Sequence, residues 1–125
     1  MSKPKRINGR TARPFVQQRT PFKNSNGQLY AEWLDGPAGS LARYCVYSYG
    51  PHWPLFIYVP QVDTWFENKE KYGPTTSKHR TFTHPHCDTV ALTLEQMKLL
   101  DRLGYSSLVY DRLNTNASTK ENTNG

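Results

Sequence analysis

Tyr44 to Arg80 reads YCVYSYGPHWPLFIYVPQVDTWFENKEKYGPTTSKHR, and this stretch decides the fold. Nine of the chain's sixteen aromatic residues lie between Tyr44 and Tyr72. Residues 43–49 are rich in Tyr and Val, Gly50-Pro51 breaks the segment, and Leu55 to Val59 follows until Pro60 ends it. Such β-branched and aromatic runs, punctuated by Gly and Pro, predict two antiparallel strands at residues 43–49 and 54–59. Both faces of each strand carry bulk: Tyr44 and Val46 oppose Cys45, Tyr47 and Tyr49, while Leu55, Ile57 and Val59 oppose Phe56 and Tyr58. One face is therefore expected on the core and the other under a helix or a ligand. Thr64-Trp65-Phe66-Glu67, within residues 63–67, supplies a third strand of a meander.

Upstream, Asn26-Gly27 is a turn signal that leads into Gln28 to Leu34, where Leu29, Ala31 and Trp33 alternate onto one face. Downstream, Thr93-Leu94-Glu95-Gln96 fits a capping box, and Leu92 and Met97 sit where a hydrophobic staple would close it. Gly104 is placed to end that helix, and Met97, Leu99, Leu100 and Leu103 give it an apolar stripe. Residues 106–113 fit either a strand or a second helix. The class expected is α+β, a small antiparallel meander with a C-terminal helix packed on it. One domain, residues 22–113, is expected between a basic disordered arm, residues 1–21, and a disordered polar tail, residues 114–125.

Charge divides sharply. Lys3, Lys5, Arg6, Arg10, Arg13, Arg19 and Lys23 fall within the first 27 residues, which contain no acid, whereas the rest of the chain is close to neutral. A basic arm on a neutral body reads as an electrostatic tether for phosphates, or as a leader whose charge only aids solubility. No apolar run approaches the roughly twenty residues needed to span a bilayer. The arm also lacks the apolar core of a signal peptide. Two cysteines, Cys45 and Cys87, do not make a disulfide framework. A soluble, cytoplasmic protein is expected, with Cys45 a small buried hydrophobe.

The pattern Tyr44-x-Val46-Tyr47-Ser48-Tyr49-Gly50, His52-x-Pro54, Trp65, Asn68 and Lys71-Tyr72-Gly73-x-Thr75-Thr76-Ser77-Lys78-His79 resembles a family of short uncharacterised proteins and domains common in bacteriophage genomes. The resemblance covers roughly residues 40–80, with a weaker echo from Phe22 to Trp33. It implies a phage or prophage setting, and so a host bacterial cytoplasm. No activity or catalytic residue comes with it.

Lys71 with Thr75, Thr76, Ser77, Lys78, His79 and Arg80 gathers hydroxyls, cations and an imidazole that suit phosphate oxygens. The competing account is a turn after Gly73-Pro74 with solvated cations. Tyr47, Tyr49, Phe56 and Tyr58 are candidates to stack on bases if exposed, with Lys3, Lys5, Arg6, Arg10, Arg13 and Arg19 tracking the backbone, or else they pack in the core. His84-Pro85-His86-Cys87-Asp88, with His79 nearby, has ligand chemistry but not zinc spacing, and reads better as a loop leading into the Thr93 cap. Cys87 or Ser77 with a histidine has no elbow or oxyanion signature to make it a nucleophile. No metal or cofactor is expected. The expectation is a non-enzymatic accessory protein that binds nucleic acid or another phosphate-bearing ligand. The alternative is a module that docks on a host protein through Tyr and Trp anchors and inhibits it.

Overall fold

The computed structural model describes residues 5–35, 42–70 and 73–103. Seven strands form one sheet whose spatial order follows the chain: β1 (Lys5–Ile7), β2 (Phe22–Asn24), β3 (Leu29–Leu34), β4 (Arg43–Ser48), β5 (Pro54–Val59), β6 (Thr64–Asn68) and β7 (Thr89–Leu92). The pairings from β2 through β6 are antiparallel, and the outermost pairs, β1–β2 and β6–β7, are parallel. Parallel neighbours need a crossover. A 3-10 turn (Gly9–Thr11) with α1 (Arg13–Gln17) supplies the first, and α2 (Pro74–Thr83) the second. The α3 helix (Leu94–Leu103) follows β7. The protein is α+β, with an antiparallel centre and a C-terminal helix on the sheet, as the sequence predicts.

Every residue of β4 and β5 is buried, so the sheet needs cover on both faces. On one face Phe22, Ala31, Val46 and Phe56 lie in a cross-strand row, joined by Tyr44, Tyr58 and Trp65 and capped by Ala12 and Val16 from the α1 segment. On the other, Cys45, Tyr47, Ile57, Val59 and Phe66 meet Leu92, Met97 and Leu100. The α3 start has the expected capping box. The Gln96 N–H donates to Thr93 Oγ1 at 3.1 Å, and the Thr93 N–H to Gln96 Oε1 at 3.0 Å. Glu70 adds an acceptor for the Leu94 N–H at 2.6 Å, a carboxylate where the helix dipole is positive.

Three expectations are corrected. Residues 5–21 are not a disordered arm: β1 pairs with β2, and Ala12 and Val16 have no exposed surface. Arg13 holds this segment in place, its guanidinium donating to the carbonyls of Thr81 and His84 where α2 ends, with Nε to His84 at 2.9 Å. Gln17 donates to the Pro85 carbonyl at 3.1 Å. Few apolar residues are needed here, because the segment borrows a core that β4 and β5 already supply. Second, residues 75–80 are helix, not turn. The inward stripe of α2 is Thr76, His79 and Thr83, all polar, so no hydrophobic period announces it. Third, the His84–Asp88 loop leads into β7 before the α3 cap. Gly104, residues 106–113 and the 114–125 tail lie outside the described residues.

Leu100→Ala, on the buried face of α3, should destabilise the protein by ~2–5 kcal/mol in urea denaturation. Val16→Asp should abolish the cooperative transition, because it places an unpaired carboxylate in the core. A disordered arm would tolerate that change.

Candidate functional site

Helical geometry disperses the polar run expected to converge on an anion. Successive residues of α2 point about 100° apart. Thr75, Ser77 and Lys78 are therefore exposed, whereas Thr76 and His79 turn inward. Ser48, wholly buried on β4, joins His79 Nδ1 at 2.8 Å and Thr76 Oγ1 at 3.2 Å. Burial holds the His79 imidazole below its ordinary pKa and so favours its neutral form. A serine beside a histidine resembles a nucleophile and its base, but Ser48 has no accessible surface, and the trio ties β4 to α2 instead. Arg80 turns to Glu67 on β6, donating from Nε at 2.9 Å and again from its terminal nitrogen. Lys71 lies outside the described residues. The six described residues of this set do not form one site.

The stacking candidates divide similarly. Tyr47, Phe56 and Tyr58 are 1%, 0% and 7% exposed, so they are core residues and not base platforms. Tyr49 is 37% exposed, with its ring 6.0 Å from that of His79. Central strands sandwiched between two layers leave their aromatics no free face.

Two polar clusters lock the sheet to its layers. Asp101 of α3 accepts from Arg43 Nε at 2.9 Å and the Tyr47 hydroxyl at 2.7 Å, with the Cys45 thiol at 3.5 Å. Burial, then the Asp101 charge, pushes the Cys45 thiol well up, so it stays protonated. Glu67 accepts from Arg80 and from Thr89 Oγ1 at 2.6 Å, with His84 Nε2 at 3.5 Å. Burial alone would raise the Glu67 pKa, but these partners outweigh it and the carboxyl titrates below its ordinary value. A cleft of about 570 Å³ between α3 and the β4–β5 turn is lined by His52, Glu95, Lys98, Leu99 and Arg102 among others, a mixed-charge surface of no single character.

The cations of residues 5–24 gather where the fold leaves an edge. Lys5 and Arg6 stand on the edge strand β1, Arg10 on the 3-10 turn and Lys23 on β2, all exposed. Among the described residues none of them is ion-paired with a carboxylate. Arg13 caps α2, Arg19 lies 4.5 Å over the Tyr58 ring, and Lys3 is outside the described residues. Strand pairing aligns Arg6 with Lys23, Lys23 with Tyr30, and Tyr30 with Tyr47. These four side chains make one row on the sheet face that carries α3. Helix α3 lies over β5, β6 and β7 and reaches β4 through Asp101. Arg6, Lys23 and Tyr30 stand on the half of this face beyond it. Sequence reasoning misses both Tyr30 and its alignment with the cations, although a hairpin centred on Asn26-Gly27 pairs residue 23 with residue 30. Among the described residues no group of three or more His, Cys, Asp or Glu is arranged to hold a metal ion, and no helix is long and apolar enough to cross a membrane.

The deprotonated forms of His79 and Glu67 are the ones the fold favours, so at these two sites the native state binds fewer protons than the unfolded chain. The stability these two groups contribute is complete above the ordinary His value of 6.5, and falls as pH drops through the His79 range and, below 4.5, through that of Glu67. In urea midpoints measured across pH, His79→Gln should flatten the loss that begins near 6.5, and Glu67→Gln the loss below 4.5. Profiles parallel to wild type would show that neither group carries the acid sensitivity. No protein-family model, curated protein or solved structure matches the chain, so its own residues carry the functional reading.

Proposed function

We propose that this chain is a non-enzymatic accessory protein that binds nucleic acid, or another phosphate-bearing polyanion, along its N-terminal edge. The observation that carries this reading is the ordered set Lys5, Arg6, Arg10 and Lys23: exposed, free of carboxylate partners among the described residues, and drawn from a segment without acids. Lys78 adds a further exposed cation from α2, which packs against the 3-10 turn that bears Arg10. The interior carboxylates are engaged elsewhere, Glu67 by Arg80 and Asp101 by Arg43. An ordered edge presents its charges at fixed spacing, which lowers the entropy lost on binding compared with a free tether.

Cations on an edge strand also discourage pairing with another sheet, and that role alone would account for Lys5 and Arg6. It does not account for Arg10 or Lys23, which lie off the edge strand. Exposed Trp33 and Tyr49 support the second reading, docking on a host protein, in the phage setting that the family resemblance implies.

Anisotropy titration of labelled oligonucleotides at two salt concentrations separates these accounts. Deleting residues 1–21 is no clean test, because it removes Val16 from the core. The variant Lys5→Gln, Arg6→Gln, Arg10→Gln, Lys23→Gln should weaken binding and flatten the salt dependence, by about one unit of log–log slope for each phosphate no longer neutralised. Absence of binding by the wild-type chain at low salt would discard this reading and leave protein docking ahead. Unchanged affinity with new self-association would assign the cations to edge protection.

A further inference from the structure

Resting on the reading above, we infer that the half of the α3-bearing sheet face left free by the described helices seats a single-stranded nucleic acid, with one unpaired base on Tyr30 and the flanking phosphates over Lys23 and Arg6. Strand register fixes the three side chains in one row, each one strand from the next. Adjacent strands are about 4.8 Å apart. The row therefore grades from two cations at the sheet edge to an aromatic ring inward, the combination of backbone-tracking charge and stacking platform that single-strand binders use. Arg6 is steadied by donating one terminal nitrogen to the Ser25 carbonyl at 2.8 Å.

Tyr30 is held as a platform. Its ring lies 5.1 Å from that of Tyr47 at a tilt of 34°, and Tyr47 is immobilised in the core by its hydrogen bond to Asp101. Tyr30 itself is only half-buried. A hollow of about 190 Å³, lined by Lys23, Gly27, Tyr30, Ala31 and Glu32, opens beside the ring. For scale, an engineered cavity of about 150 Å³ accepts one benzene ring. Gly27 helps to shape it: at φ +75° it turns the hairpin, and a Cβ there would stand 3.1 Å from Lys23 Cε. Glu32, two residues along β3 from Tyr30, also lines the hollow. Its carboxylate repels phosphate, so the backbone is confined to the Lys23–Arg6 side, while its oxygens suit the exocyclic amino group of a cytosine. Burial and then the Asp101 charge raise the Glu32 pKa, and burial, Glu32 and Asp101 raise that of Tyr30 to about 12, so the phenol remains neutral. A base paired within a duplex keeps both its faces in the stack, so this platform selects for single strands.

The test uses the full chain and a labelled 12-nucleotide oligo-dC, its RNA equivalent, and a duplex of the same length. Single strands should bind at least roughly ten-fold tighter than the duplex, and Tyr30→Ala should weaken single-strand binding by roughly ten-fold or more. Tyr30→Leu, which keeps apolar contact with Tyr47 and hence the fold, should show the same loss with an unchanged melting temperature. Tyr30→Phe, which keeps the ring, should restore most of it. The DNA and RNA arms report which sugar the face accepts, and tight binding of either meets the expectation. Equal affinity for single strand and duplex, or wild-type affinity in Tyr30→Leu, overturns this inference and leaves the electrostatic reading standing. No binding to any of the three probes at low salt overturns both.

Discussion

The burial of both faces of β4 and β5 is the constraint on which the rest of the structure depends. Twelve buried positions on two adjacent strands cannot be covered by one helix on one side. A sheet buried twice requires two covering layers, and a chain of this length has little material for them. The N-terminal segment and α2 make one layer, and α3 makes the other. Parallel crossovers at both ends of an otherwise antiparallel sheet follow from this need. Each crossover carries its helix back over a face before adding one more strand. The basic segment is thus recruited into the fold by a demand that arises from residues 43–59, not by any strong preference of its own.

Polar contacts then decide how the layers sit. Asp101 meets three side chains of β4 and so sets α3 against Arg43, Cys45 and Tyr47. Ser48, at the end of the same strand, sets α2 through His79 and Thr76. A buried ion pair such as Arg43–Asp101 adds little net stability, because desolvation offsets the attraction. Its value lies in geometry, since leaving either charge alone would cost several kcal/mol, about 3–5. Hydrophobic cover permits sliding, and these contacts do not.

Much of the frame is legible in the sequence, and the reasons are physical. The strands at 43–48, 54–59 and 64–68 show themselves through aromatic and β-branched density, and the helix from Leu94 through its capping box. Helix α2 is not legible. Its inward residues are two threonines and a histidine, so the apolar period that normally marks a helix face is missing. Its hydroxyls are satisfied locally, Thr83 Oγ1 donating to the His79 carbonyl and Thr81 Oγ1 to that of Ser77. In sequence, such residues suggest a turn or a phosphate cradle; in the helix they point in different directions and the cradle disappears. The stacking candidates fail for the converse reason. Aromatic density signals either a core or a platform, and double burial makes it core. Only the hairpin register, centred on Asn26-Gly27, holds the information that aligns Lys23 with Tyr30.

Among the described residues cover is unequal between the two faces, and this inequality bears on the proposed chemistry. Helix α3 follows β7 and lies over the last three strands, so on its side β1 to β3 receive no described helix. The part of this face that no described helix covers carries Arg6, Lys23, Tyr30 and Glu32, with half-buried Leu34 packed against the α3-side core at the end of β3. Tyrosine tolerates water there while still packing on Tyr47, because its ring is apolar and its hydroxyl is not. Solvation alone would be served as well by serine, threonine or glutamate at position 30. What a ring adds at that position is a flat surface already ordered from below, next to cations that the adjoining strands hold in register.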